Sequence, residues 1–585
     1  MLKIFRFLER RELQFMLLSF VVIIAQVWLD LRLPDYMSEI TELVQMPNSP
    51  IDEIISAGMA MMACAFGSLF LTFIAGYSSA QIATKLSMKI RGEVYRKTLS
   101  FSMAEMNDFS TASLITRSTN DITQIQTFVV LGLTAFLRAP LMAFWAITKI
   151  AGKNMTFTMA LGVTILALCI VIFTILRFAV PKSRTIQKLT DNINLVTREH
   201  LTGIRVVRAY NAEAYQEEKF HEANMTTMKT TLFVNRLTSF IQPYLGCIMS
   251  ITTLTIYWLG AIMINETKDP SAQLTIFSDM VVFSSYAMQI VMSFMMLTMT
   301  LIMYPRFIVS VGRVMEILEK ENTLTDGEAM TSNEQGTVEF KDVSFAYGGE
   351  EKVLENISFK VKKGETVAFI GSTGSGKSTL LNLVPRFYDC TEGEILVNGI
   401  NVKAYNQNAL RNILGVITQK AILFTGTVSS NVNYGNNGVS LSESEAIQNV
   451  ERAIDIAQAK EFVSKIGLDA PVSQGGGNLS GGQKQRLSIA RAIYRQPQIY
   501  MFDDSFSALD YKTDKVLRKE LATQTADATK LIVAQRISTV KDADQIIVLD
   551  QGKIVGKGKH RNLLDTCSVY REIAESQLSK EELYE

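Results

Sequence analysis

The sequence predicts an α-helical membrane domain of six transmembrane helices followed by an α/β domain built on a phosphate-binding loop. Three observations predict it. Six long apolar stretches precede residue 305, short apolar runs with turn signals begin at Thr337, and Gly371-Ser-Thr-Gly-Ser-Gly-Lys-Ser-Thr379 follows the apolar run 366–370. Strand, glycine loop and helix is the context that this G-x-x-x-x-G-K-[ST] pattern requires. At 585 residues the chain exceeds one ordinary domain. Its 48% hydrophobic residues are many for a soluble protein and its 20% charged residues many for a membrane one, as when an average conceals two unlike halves.

A helix crosses a bilayer with about 20 apolar residues. The stretches that qualify are 13–33, 54–82, 125–149, 155–180, 232–264 and 276–304. Charge orients them. Between Leu33 and Thr84 there is no Lys or Arg, only Asp35, Glu39, Glu42, Asp52 and Glu53, whereas the next connection carries Lys85, Lys89, Arg91, Arg96, Lys97 and Arg117. The excess of positive charge on cytoplasmic loops therefore places the first loop outside and both termini in the cytoplasm, in a multi-pass protein of the cell membrane. Lys3, Arg6, Arg10 and Arg11 precede the first stretch with no small-residue cleavage site, which reads as a retained anchor. The cytoplasmic connections are long and helix-like; the external ones, near Gly152 and Asp269, are short.

Arg138, followed by Ala-Pro140, stands inside the third stretch, where a lone charge costs about 2.5–3.5 kcal/mol. It faces an aqueous cavity or a partner, or it snorkels to the interface. Met288, Met292, Met295, Met299 and Met303 form a soft stripe at helical spacing in the sixth stretch. Such a stripe serves helix packing or the repacking of a cavity around apolar ligands. Asp279 attracts a cation or marks a solvated helix end. A polar segment over 319–336 then separates the halves, giving domains at 1–320 and 336–585 with a linker at 321–335. Five scattered cysteines, Cys64, Cys169, Cys247, Cys390 and Cys567, lack pairing or metal spacing and are read as free thiols. A net charge of +1 argues against a nucleic-acid partner.

In the phosphate loop, Gly371, Gly374 and Gly376 let backbone N–H groups of the loop, including Ser372, Thr373, Ser375 and Thr379, curl around phosphates. Lys377 supplies a positive charge, and the Ser378 hydroxyl is a ligand for Mg²⁺. ATP with Mg²⁺ is the expected nucleotide. Further strings follow in order: Gly415-Val-Ile-Thr-Gln419, Leu479-Ser480-Gly481-Gly482-Gln483, Ile499-Tyr-Met-Phe-Asp503 and Ser507-Ala-Leu-Asp510.

Six spans and then these motifs resemble an ATP-binding-cassette exporter half-transporter, the type IV exporter fold, over the whole chain. The resemblance implies adenine stacking on Tyr347, a Q-loop at Gln419 that reaches Mg²⁺, a Walker B carboxylate at Asp503 for the Mg²⁺ shell, and a D-loop ending at Asp510. It also implies a signature, Ser480 to Gln483, that completes the ATP site of an opposing cassette through its helix N-terminus. Segments 106–114 and 203–213 become coupling helices; by themselves they read equally as polar loop helices.

Two positions depart from the family. Asp504 stands where the catalytic residue is usually glutamate, retracting the carboxylate by one methylene, and Gln535 stands where a switch histidine is usual. Glutamine still hydrogen-bonds but carries no charge and shuttles no proton. Both departures fall on the site of this chain's own loop, while its signature is intact. The expected assembly is therefore a heterodimer with a second, non-identical half-transporter that carries a catalytic glutamate, a switch histidine and an altered signature. Gln474 in the loop before the signature also departs from a more common glutamate. The expected activity is export of small amphipathic or apolar compounds of multidrug type, with hydrolysis mainly at the partner-anchored site. The substrate candidates Arg138, Met288, Met292, Met295 and Met299 line that path. Alternatives are an importer on the exporter fold, a peptide or lipid exporter, and an ATP-gated channel or sensor; the short segment before the first span argues against leader-peptide processing.

Overall fold

The computed structural model describes residues 2–46, 49–150, 154–349, 351–435, 441–579 and 581–583. The connection expected near Gly152 lies outside the described residues. Two compact units form: Met1–Ser100 with Phe109–Lys320, and Phe101–Asp108 with Glu321–Glu585.

The first unit is all helical: α1 (Arg10–Gln45), α2 (Ile51–Leu99), then, past α3 (Met103–Asp108), α4 (Thr111–Ser118), α5 (Asn120–Ile150), α6 (Met155–Thr202), α7 (Ile204–Ala209), α8 (Glu213–Ser239), α9 (Ile241–Glu266) and α10 (Pro270–Glu319). Among the described residues, six helical segments are long and apolar enough to cross a membrane. Starts follow local chemistry. Asn154 caps α6 by accepting from Thr156 N–H, and Asp269 caps α10 by accepting from Ser271 N–H, with Pro270 in the first turn where its missing donor costs nothing. Half of the apolar window of α10 is buried against 11% of that of α2, so α10 runs through the middle of this unit and α2 along its outside. Ile23, Val27, Phe157, Phe283 and Tyr286 meet there, the Phe157 and Phe283 rings tilted with centroids 5.2 Å apart.

The first short helix between the long ones is α3, beginning at Met103 and ending at Asp108, so segment 106–114 straddles a break and is not one helix. The reason is local capping: Glu105 accepts from the Ser102 backbone N–H at 2.6 Å, and Ser102 Oγ accepts from Ala104 N–H at 3.1 Å. Ser110 then caps α4. The second short helix, α7, lies within the expected segment.

In the second unit, strands β1 (Val338–Phe345), β2 (Leu354–Val361), β4 (Glu392–Val397) and β5 (Ile400–Asn401) make an antiparallel sheet in the order β2-β1-β4-β5. Strands β3 (Thr366–Gly371), β6 (Leu414–Ile417), β9 (Ile499–Asp503), β10 (Thr529–Val533), β11 (Gln545–Asp550) and β12 (Lys553–Gly558) make a second sheet, ordered β12-β11-β3-β10-β9-β6 and parallel except for the β11–β12 hairpin. A short pair, β7 (Gly426–Thr427) and β8 (Pro471–Val472), stands apart. β3 and β10 are buried along nearly their whole length, as strands covered on both faces must be. β3 lies between β10 and β11, and its C-terminal end feeds the phosphate loop and helix α11 (Lys377–Leu383). In an open α/β sheet, that edge is where ligands bind.

Candidate functional site

Each β-strand that carries a motif ends on the same edge of the parallel sheet. The register aligns Val533 of β10 with Asp503 of β9 and with Phe369 of β3, which sets Ala534 and Gln535 beside the phosphate loop. Gly371 has φ +155°, and a Cβ there would meet the Leu549 carbonyl oxygen at 1.9 Å. Gly376 has φ +93° and would press Leu354 at 2.6 Å. The loop therefore closes only with glycine at these points.

Within it, Lys377 Nζ donates to the carbonyls of Gly371 (3.0 Å) and Ser372 (2.6 Å) and to Ser375 Oγ (3.1 Å). Burial lowers the pKa of its ammonium, and the nearby Asp504 and Asp503 carboxylates oppose that shift. Ser378 Oγ donates to Asp503 Oδ1 at 2.7 Å, and Thr379 Oγ1 accepts from the Tyr347 hydroxyl at 3.0 Å. Tyr347 is half exposed and edge-on to Tyr388 and Phe345, which places an aromatic face beside α11. Thr373 and Gly374 complete the loop.

Asp504 adopts φ +46°, a left-handed turn that aspartate tolerates. Its backbone N–H donates to the Val533 carbonyl at 2.9 Å, and its own carbonyl accepts from Ser507 Oγ at 2.8 Å. One carboxylate oxygen, Oδ2, accepts from Gln419 Nε2 at 3.2 Å and from Gln535 Nε2 at 2.9 Å. Burial raises the pKa of Asp503 and of Asp504, and for Asp503 the neighbouring carboxylate adds to the effect. Two carboxylates, a hydroxyl and an amide oxygen are hard oxygen donors, the set from which Mg²⁺ is held together with substrate phosphates. The residues present thus fit both ATP and Mg²⁺.

The signature is built differently. Ser480 caps the helix Gly481–Arg495 in a reciprocal box with Gln483: Ser480 N–H donates to Gln483 Oε1 at 2.8 Å, and Gln483 N–H donates to Ser480 Oγ at 3.3 Å. Ser480 and Gly481 are exposed, so the N–H groups of this helix start, Gly482 included, are open to an incoming anion. Asp510 caps the helix Tyr511–Gln524 by accepting from Thr513 N–H at 2.9 Å, a bond that holds its pKa down.

In the membrane unit Arg138 has a partner that sequence reasoning missed. Its Nη2 donates to Asp30 Oδ2 at 2.8 Å, and Asp30 Oδ1 accepts from Ser68 Oγ. Asp30 lies within the first apolar stretch, so its charge was itself the signal. Gln289 Nε2 donates to the Asp30 carbonyl at 3.1 Å, and a second pair, Lys149 with Asp35 at 2.5 Å, is joined by the Tyr286 hydroxyl at 2.9 Å. Met288, Met292 and Met299 are exposed, while Met295 packs against the core of the unit. Asp279 is buried, which corrects its reading as a solvated helix end. An almost wholly apolar groove of about 650 Å³ opens between α1, α5 and α10, walled by Leu17, Phe20, Phe128, Phe136 and Phe307. The five cysteines are free thiols.

The fold and this site define an ATPase cassette joined to a six-helix membrane domain. A family profile described as ABC transporter transmembrane region matches residues 16–324, and one described as ABC transporter matches 354–507. An uncharacterized ABC transporter ATP-binding protein of Mycobacterium tuberculosis is 37% identical over 518 residues, covering 88% of this chain and 86% of that protein. An ATP-dependent lipid A-core flippase of Saccharophagus degradans is 27% identical over 532 residues, covering 91% and 87%. The solved structure of a bacterial Atm1-family ABC exporter with ATP bound superposes with TM-score 0.82 at 22% identity, covering 98% of this chain and all of that one. The chain belongs to the ABC transporter family: it is a multi-pass membrane half-transporter with one ATP-hydrolysing cassette and the exporter fold.

Proposed function

We propose that this chain is one half of a heterodimeric exporter that moves amphipathic compounds out of the cell, and that its own ATP site binds nucleotide but hydrolyses it slowly. The observation that carries this reading is the Asp504 carboxylate: short by one methylene, it is engaged by the amides of Gln419 and Gln535 on the same oxygen. A general base needs a free lone pair aimed at water within hydrogen-bond reach. Here Oδ2 already accepts from two amides, which leaves Oδ1 of the shortened side chain to meet a water, and Gln535 beside it carries no titratable proton.

The residues of the phosphate loop would hold the nucleotide, Lys377 by charge and Tyr347 by its ring. Ser378, Asp503 and the Gln419 amide oxygen would hold Mg²⁺, which supplies charge neutralisation on the phosphates. Ser480 to Gln483, opened by the exposed Ser480 and Gly481, and exposed Asp510 would serve the partner's nucleotide, and both termini would lie in the cytoplasm. The boundaries 1–320, 321–335 and 336–585 are the working domain limits of this reading.

As cargo, a single-tailed amphiphile suits the groove of α1, α5 and α10, whose walls offer aromatic and aliphatic surface and almost no polar surface. The exposed Met288, Met292 and Met299 add adaptable surface. A lipid is the second reading, favoured by the likeness to relatives described as lipid A-core flippases.

The test is ATPase activity of this chain alone and co-expressed with its gene neighbour, the expected partner, the latter with and without a catalytic glutamate changed to glutamine. Activity that needs the partner and disappears with that change supports the reading. Brisk hydrolysis by the chain alone would make it a homodimer and remove the division of labour. Uptake of a fluorescent amphiphile or a labelled lipid into inside-out vesicles separates the two cargoes.

A further inference from the structure

The segment that carries Gln535 is held from the far end of the chain. Gln577 Nε2 donates to the Gln535 carbonyl at 2.8 Å, and Gln577 Oε1 accepts from the Ile537 backbone N–H at 2.8 Å. Ile537 opens the short helix Ile537–Val540, whose first N–H has no partner within the helix, so the Gln577 oxygen completes it from outside. One side-chain amide thus bridges both sides of Arg536, whose own guanidinium donates to the Ser507 carbonyl at 3.3 Å.

Gln577 is itself fixed. It follows the helix Ser568–Glu575, and its backbone N–H donates to the Ala574 carbonyl at 3.1 Å. That helix is anchored by Tyr570 and Ala574, both fully buried in the core behind β3, and the Tyr570 hydroxyl meets His560 Nδ1 at 2.6 Å. Rigid core, helix end, amide and switch backbone form one continuous chain of contacts that ends at the Gln535–Asp504 bond of 2.9 Å.

We infer that Gln577 is a positioning residue for ATP hydrolysis: its side-chain amide clamps the backbone around Gln535, and so the C-terminal helix sets where the Gln535 amide meets Asp504. The inference rests on the reading of Gln535 as the residue at the switch position, and it extends that reading to a part of the chain that touches neither nucleotide nor metal. A glutamine serves here because it alone among the amides has both the reach and the paired donor and acceptor that a carbonyl and an N–H require. Gln577 is exposed, so its replacement leaves the packed core intact.

The experiment uses the full chain assembled with its partner half-transporter, the partner's own site silenced, in lipid nanodiscs, and follows single-turnover phosphate release from labelled Mg·ATP, with KM and melting temperature measured in parallel. Gln577→Ala is expected to lower the hydrolysis rate about tenfold, with KM changed less than about twofold and the melting temperature by less than about 2 °C. Gln577→Glu still accepts from Ile537 N–H but sets a carboxylate against the Gln535 carbonyl, and is expected to lose at least as much. On a Gln535→Ala background, Gln577→Ala is expected to add nothing. An equal loss on both backgrounds, a loss matched by a fall in melting temperature, or an unchanged rate overturns the clamp. If Gln535→Ala is itself silent, the reading of Gln535 fails and the clamp with it; if Gln535→Ala is slow and Gln577→Ala is not, the clamp alone fails.

Discussion

Arg138 and Asp30, on membrane helices α5 and α1, form an ion pair at 2.8 Å, and Asp30 also takes the Ser68 hydroxyl. In a medium without water to solvate a lone carboxylate, the pair and its hydrogen bonds are what make each charge tolerable. Arg138→Met is expected to destabilise the membrane unit by about 3–5 kcal/mol, because it strands Asp30. Adding Asp30→Asn should recover most of that loss. Thermal unfolding in detergent checks both, and a double variant as unstable as the single one would refute the pairing as the cause.

Asp504 and Gln535 give the second prediction. Asp504→Glu with Gln535→His should raise ATP turnover at this chain's site, on the order of 10²-fold if the retracted carboxylate is the limiting defect. Phosphate release from the chain with its partner site silenced is the measurement. An unchanged rate would locate the defect elsewhere.

Glu105 makes a prediction in pH. Its buried carboxylate would be raised by desolvation, but the Ser102 and Thr323 N–H groups, at 2.6 and 2.9 Å, overcome that and hold its pKa at about 2. A pKa depressed in the folded state stabilises above the unfolded value of 4.5 and loses that contribution as pH falls toward about 2. Glu105→Gln should therefore melt lower than the parent at pH 7, and the gap should close between pH 4.5 and about 2. A gap that is constant with pH would assign the effect to shape and not to charge.

Gly376 tests the phosphate loop through its backbone. Gly376→Ala must hold φ +93° with its methyl 2.6 Å from Leu354, a strain of about 1–3 kcal/mol. Reduced affinity for a fluorescent ATP analogue, with normal membrane insertion, is the expected outcome; wild-type affinity would mean the loop relaxes freely.

What the sequence disclosed and what it withheld divide along range of interaction. The spans and the phosphate loop are local strings, so their elements could be placed before any contact was known. The start of α3 was also written locally, in the Ser102-Met-Ala-Glu105 capping pattern, but segment 106–114 looked past it. Arg138 could be recognised as needing a partner, yet Asp30 stands 108 positions away on another helix and no periodicity joins them. Gln577 left no trace at all, because it binds backbone atoms, and a backbone carbonyl has no letter in the sequence.

The helix α3 belongs to the cassette unit although it is encoded inside the membrane half. Glu105 waits for Thr323, 218 positions downstream, and the Asn107 amide for the Tyr388 hydroxyl, 281 positions downstream. On the ribosome, α3 is therefore made long before anything exists to receive it, and the loop it must close is among the longest in the protein. Completion of this short helix reports that translation has passed into the cassette. A chain truncated before the cassette leaves Glu105 and Asn107 without these two partners.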